Sequence, residues 1–123
     1  MQERRNNNRK NLAVYSRVYD RDTGIVLGYL SDLTQKGAMI ISDSPIAENI
    51  IFKLRFDLPD PALFSTDHLN MDAHVAWCNP DLDPAFYNIG LGFESVSIAE
   101  SRIIEEMIVA YEFRRNLPDY PSK

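Results

Sequence analysis

Two short motifs hold the residues of this sequence best suited to chemistry. Arg4, Arg5 and Arg9 lie close together near the N-terminus, with Asn6, Asn7 and Asn8 between them. About two dozen residues later, Asp32, Thr34 and Gly37 follow in the run Asp32-Leu33-Thr34-Gln35-Lys36-Gly37. A guanidinium group presents a planar fork of donors that fits phosphate oxygens or the acceptor edge of guanine, and its flat face stacks on a base. Several of them on one short arm suit a nucleotide. The asparagine run tolerates tight and left-handed turns, so the arm can fold back and aim Arg5 and Arg9 at one point. Asp32 and Thr34, two residues apart, share one side of a strand end and offer an acceptor and a hydroxyl, while Gly37 lets the backbone turn closely beneath a ligand.

Charge is segregated along the chain. The net charge is −5 over 123 residues, yet residues 1–10 carry +3, from four cations against Glu3, which leaves −8 on the remaining 113. A cationic arm on an acidic body is a solvated tail, a self-docking segment or a place where a small anion is held, and charge alone does not choose among them. The acidic body does argue against a nucleic-acid binder, which needs basic residues spread over a face with exposed aromatic platforms.

Enzymatic and metal signatures are missing. Gly90-Leu91-Gly92-Phe93-Glu94-Ser95 starts like a dinucleotide loop but lacks the third glycine and falls inside an alternating strand. Asp20, Asp22 and Gly24 have part of a calcium-loop spacing without its closing glutamate, so a hairpin turn is expected there. His74 and Cys78, four apart in a strand, are expected on one face but about 13 Å from each other, too far to share a metal. Cys78 is the single cysteine and has no internal disulfide partner. With no activated nucleophile and no converging catalytic pair, neither an enzyme nor a bound cofactor or metal is expected.

The elements that must position these motifs are mostly strands. A chain of 123 residues, 45% hydrophobic and 25% charged, has the makings of one soluble domain. No apolar run is long enough to span a membrane and no apolar segment follows the basic N-terminus, so the expected address is cytoplasmic, with no membrane partner. Period-two alternation is clearest at Ile50–Leu58, Met71–Cys78 and Tyr87–Phe93, with Met71, Ala73, Val75 and Trp77 expected on the core side of the second. Less regular β-rich pieces occupy Leu12–Tyr19, Ile25–Leu33 and Ala38–Ser42. A long connection is expected over Pro59–Asn70 and an acidic turn over Asn79–Pro84.

From Ser97 the period becomes helical. Ser97 and Glu100 form a capping-box pair, and Ile103, Ile104, Met107, Ile108 and Tyr111 line one stripe, with Arg114, Arg115 and Pro118 suited to the helix end. Six strands and one terminal helix predict an all-β, six-stranded antiparallel barrel whose open face the C-terminal α-helix plugs. The expected divisions are a flexible basic arm over 1–11, the barrel with its helix over 12–117, and a tail over 118–123. Val109 and Phe113, extended by Leu117, fall opposite the main stripe: scattered exposed residues, or a contact surface for another protein or a second copy in a homodimer.

Taken together, the motifs and the barrel pattern resemble the PilZ domain family. Arg5-x-x-x-Arg9 matches that family's N-terminal arginine motif, Asp32-x-Thr34-x-x-Gly37 its second motif, and Val75-Ala76-Trp77 and Ile89-Gly90-Leu91-Gly92-Phe93 look like its late strands. The likeness runs from the arm into the terminal helix. It implies a six-stranded barrel acting as a receptor for the bacterial second messenger cyclic di-GMP. By that likeness Arg5 and Arg9 take the phosphate and guanine roles, Arg4 stacks or supports, and Asp32, Thr34 and Gly37 line the other side. The family pattern usually has serine at position 34; threonine keeps the hydroxyl and adds a methyl that restricts its rotamers. The expected function is an adaptor that binds cyclic di-GMP and passes the signal to a protein partner. The alternative within the same fold is an interaction module that works without the nucleotide.

Overall fold

A computed structural model describes residues 16–111. Within it, β1 (Arg17–Asp20), β2 (Val26–Leu33), β3 (Gly37–Ser42), β4 (Ile51–Asp57), β5 (His68–Pro80) and β6 (Tyr87–Phe93) are followed by one helix, α1 (Ile98–Tyr111). The six strands form a closed barrel in the order β1-β2-β3-β6-β5-β4, with every neighbouring pair antiparallel. Closure leaves no unpaired strand edge, which is how so small a sheet protects its backbone donors and acceptors. The expected all-β barrel with a C-terminal helix is the observed architecture.

Alternation places Val18, Leu30, Ile40, Leu54, Phe56, Met71, Val75, Ile89 and Leu91 inside, all buried in one core. Phe93 meets Phe56 edge-on at the barrel end, with ring centroids 6.3 Å apart. Beyond that end lies α1. Its start is fixed by the expected capping box: Glu100 Oε1 accepts from the Ser97 N–H at 2.9 Å, and Ser97 Oγ accepts from the Glu100 N–H at 3.1 Å. The stripe of Ile104, Met107 and Tyr111 is buried in the same core as Leu33, Leu58 and Phe64, and Tyr111 packs edge-on against Phe64 at 5.5 Å. The helix therefore covers the end where β2 and β4 finish and β3 and β5 begin.

Several boundaries differ from the sequence expectation. β5 is the longest strand, 13 residues from His68 to Pro80, so the connection after β4 ends at Asp67 and Asn79-Pro80 continue the ladder opposite Asn88 and Tyr87. A register shift between Val75 and Trp77 leaves Ala76 as an extra residue on β5. Beyond that bulge the faces exchange. Trp77, expected in the core, is 38% exposed on the outside, while Cys78 packs against the core. His74 and Cys78 are therefore on opposite faces, not the same one. At Asp20-Asp22-Gly24 the hairpin turn is as expected: the Asp20 carbonyl accepts from the Gly24 N–H at 2.7 Å, and Gly24 has a φ of 78° that suits glycine.

The expected arm over 1–11, the first residues of the Leu12–Tyr19 piece, Phe113, Leu117 and the tail lie outside the described residues. Val109 is 66% exposed on α1. No helix among the described residues is long and apolar enough to cross a membrane.

Because Met107 is fully buried between helix and barrel, Met107→Ala is expected to lower stability by about 2–5 kcal/mol, read from the urea unfolding midpoint. An unchanged midpoint would mean that α1 does not seal the core.

Candidate nucleotide-binding groove

A second bulge aims the acidic residue of the motif. Leu30 pairs with Ile40 and Asp32 with Met39, so Ser31 is the extra residue on β2. Leu30 and Leu33 both remain buried although they are three apart, and Asp32 turns to the outer surface. There its Oδ1 accepts from the Leu33 N–H at 2.8 Å.

Thr34 opens the turn into β3 and its hydroxyl organises that turn. Oγ1 accepts from the Lys36 N–H at 3.1 Å and the Gly37 N–H at 3.2 Å, and donates to the Gly37 carbonyl at 3.4 Å. The Thr34 N–H also reaches the Gly37 carbonyl at 2.9 Å. Side-chain oxygens that accept from nearby N–H groups in this way stabilise turns without a helix or ladder. Gly37 answers a packing demand from β6, because a Cβ at this position would collide with the Leu91 carbonyl oxygen.

Outside the barrel, β6 offers a strip of bare backbone. Gly90 pairs with Trp77 and Gly92 with His74, and each glycine is covered by its partner's ring. A Cβ at Gly90 would strike the indole, and His74 is held over Gly92 by its Nδ1 contact with Glu94 Oε2 at 2.6 Å. Flat rings on cross-strand glycines are a common way to shield a bare ladder.

Asp32, Thr34, Lys36, Gly37, Met39, Trp77, Gly90 and Gly92 line one open groove of about 350 Å³, within the range of small-molecule sites. The structure thus brings together the three site residues expected on the barrel, Asp32, Thr34 and Gly37, while Arg4, Arg5 and Arg9 lie outside the described residues. Trp77, Lys36 and Met39 were missed. Trp77 was hidden because strict alternation places it inside. The signal available was the pair of alternating glycines in β6, which leaves room for a flat group on the neighbouring strand.

The electrostatics are specific. Among the described residues lining the groove, Lys36 is the one cation and Asp32 the one carboxylate. Such a groove has hydrogen-bonding capacity for a base and too little positive charge for two phosphates. A larger hollow of about 640 Å³ lies against the β4–β5 connection, between Pro59, Pro61, Phe64 and Asp67. Its one ionisable lining group is Asp67, whose carboxyl the adjacent His68 ring holds below the usual carboxylate range. That charge disfavours an anion there. Among the described residues, no group of three or more His, Cys, Asp or Glu side chains is placed to hold a metal ion.

Comparison with known proteins agrees with this architecture. The family model of the PilZ domain matches residues 3–110, from the arginine arm into α1. The chain belongs to the PilZ domain family. Among solved structures it is similar to the PilZ domain with c-di-GMP of YcgR from Escherichia coli, at 15% identity and a TM-score of 0.59, over 80% of this chain and 81% of that one. It is also similar to the Bacillus subtilis inhibitor of motility MotI/DgrA, at 10% identity and a TM-score of 0.60, over 81% of this chain and 47% of that one. The chain thus spans about half the length of the Bacillus protein. At these identities the structural likeness establishes the fold. No curated protein sequence matches the chain.

Two outcomes follow from the groove. In Gly90→Ala the new methyl must push the indole aside, so emission from Trp77, the single tryptophan, is expected to move to longer wavelength with the far-ultraviolet dichroism unchanged. An unmoved maximum would show that the ring does not rest on Gly90. Thr34→Val should destabilise the fold by about 0.5–1.5 kcal/mol in urea, and Thr34→Ser by much less, since only valine removes the side-chain acceptor of the exposed turn N–H groups. Equal losses would refute the turn-organising role of the hydroxyl.

Proposed function

We propose that this protein is a cyclic di-GMP receptor that acts as an adaptor, with no catalytic step of its own. The observation that carries the proposal is the unbalanced groove, lined among the described residues by one cation and one carboxylate, in a family whose model match over residues 3–110 takes in the positions of Arg4, Arg5 and Arg9. In this reading Asp32 accepts from the donor edge of a guanine, the Trp77 ring offers a stacking surface, and Lys36 pairs with one phosphate; all three line the groove. Arg5 and Arg9 supply the remaining positive charge, with Arg4 stacking or supporting.

Reach permits it. The described barrel starts at Ser16, whose carbonyl accepts from the Leu30 N–H at 3.0 Å, two residues before Asp32 on the neighbouring strand. Seven residues of chain from Arg9 to Ser16 span at most about 25 Å, enough to return Arg9 to the groove. The YcgR domain was solved with c-di-GMP, which supports the same ligand for this barrel.

Magnitudes set the affinity. Micromolar binding needs about 8 kcal/mol, charge-assisted hydrogen bonds give roughly 1.5–3 kcal/mol each, and stacking on an aromatic ring gives about 1–3 kcal/mol per base. Ordering the arm opposes these by roughly 1–2 kcal/mol for each residue fixed. With so small a surplus, losing any one arginine is costly. The arm closes over the nucleotide and changes the surface offered to a protein partner, for which the Val109 side of α1 is the candidate. The Bacillus neighbour is an inhibitor of motility, so motility components are the first partner class to screen.

One observation favours a second reading. The Thr34 hydroxyl is engaged within its own turn, so the motif has a structural use even in a protein-contact module that binds no nucleotide. Calorimetry separates the two. Cyclic di-GMP is expected to bind the wild type in the micromolar range and Arg9→Ala about ten- to a hundredfold more weakly. An absence of heat from the wild type, or equal affinities, would reject the receptor and leave the contact module.

A further inference from the structure

Gln35 stands between two groove residues, Thr34 and Lys36, yet its side chain leaves the groove. It meets the first turn of α1. Gln35 Nε2 donates to the main-chain oxygen of Ser101 at 3.1 Å, and Gln35 Oε1 accepts from Ser101 Oγ at 2.9 Å. A primary amide that matches donor to acceptor and acceptor to donor on a single residue fixes orientation as well as distance. Both bonds are partly buried and join positions 66 residues apart.

The same turn has another tie. The Lys36 carbonyl accepts from the Phe93 N–H at 2.9 Å, at the end of the strand that leads into α1. Ser101 lies three residues, just under one helical turn, before Ile104, which is fully buried. The turn that shapes the groove and the buried stripe of the helix are thereby linked through two side chains. Movement of the turn must carry α1 with it or break both hydrogen bonds of the Gln35 side chain.

We propose that Gln35 and Ser101 are positioning residues that make the groove turn and α1 one coupled unit, so that a guanine dinucleotide held at Thr34 and Lys36 is registered at the helix. The ligand part rests on the receptor reading above. The outer face of α1, where Ile98, Arg102, Glu105 and Val109 are exposed at helical spacing, is the surface that changes order when the groove fills. Coupling of this kind is reciprocal, so a partner that orders α1 also tightens the groove.

Hydrogen–deuterium exchange on the full chain tests both parts, using wild type, Gln35→Ala, Ser101→Ala and the double variant, each with and without cyclic di-GMP. Without nucleotide, Gln35→Ala is expected to speed exchange about two- to tenfold in the turn 34–37 and in the helix 98–111 together. The double variant should match Gln35→Ala, because the second change removes nothing further. With nucleotide, the wild-type helix gains protection, whereas in Gln35→Ala only the turn does. If the alanine variant does not fold, Gln35→Glu keeps the size and the Ser101 Oγ contact and removes the donor. Helix exchange that ignores Gln35→Ala in the free protein, or a helix response to nucleotide that survives it, would overturn the coupling. If nucleotide changes nothing in the wild type, the receptor reading fails, and the nucleotide-free comparison still decides the link between turn and helix.

Discussion

The backbone ladder of a closed antiparallel barrel governs everything else in this molecule. Each strand has partners on both sides, so an extra residue cannot be absorbed at an edge and must appear as a bulge that exchanges inside for outside. Ser31 and Ala76 are two such residues. The first turns Asp32 outward while keeping Leu30 and Leu33 in the core; the second brings Trp77 to the surface and Cys78 inward. A carboxylate and an indole thus reach one groove through bulges on β2 and β5, the strands that flank the adjacent pair β3 and β6.

Charge is the second constraint. An acidic body repels polyanions at long range, and the groove, with one lysine among its described lining residues, has no surplus of positive charge there. In the proposed receptor, selectivity for a small dianion would rest on a local concentration of guanidinium groups, and residues 1–10 are where this sequence concentrates them. On that proposal, a site divided between a barrel surface and a cationic segment would make occupancy and rearrangement a single event. The two hydrogen bonds between Gln35 and Ser101 tie the groove turn to the first turn of α1, the route proposed above for carrying that event to the helix.

Legibility followed the range of the interactions involved. Alternation at Ile50–Leu58 and Tyr87–Phe93 is written in adjacent residues and gave the strands; Ser97 with Glu100 gave the helix start, because both caps act within one turn. Asp32, Thr34 and Gly37 could be singled out from their spacing. Trp77 could not, since the run around Ala76 carries no glycine or proline to mark a bulge, and the register of β5 is set by β6. Lys36 and Met39 were missed for a related reason: nothing local says that a turn and a strand face will border the same hollow.

By itself the sequence determined the number and kind of elements among the described residues, the placement of the helix after the last strand, and the separation of charge between the first ten residues and the rest. These follow from short-range periodicity, capping and composition, which need no knowledge of distant partners. Only the tertiary structure decided which face Trp77 takes, that Gly37 yields to the Leu91 carbonyl, and that Gln35 reaches α1. Each of these depends on strand register or on contacts between segments far apart in the chain, quantities fixed only when the barrel closes.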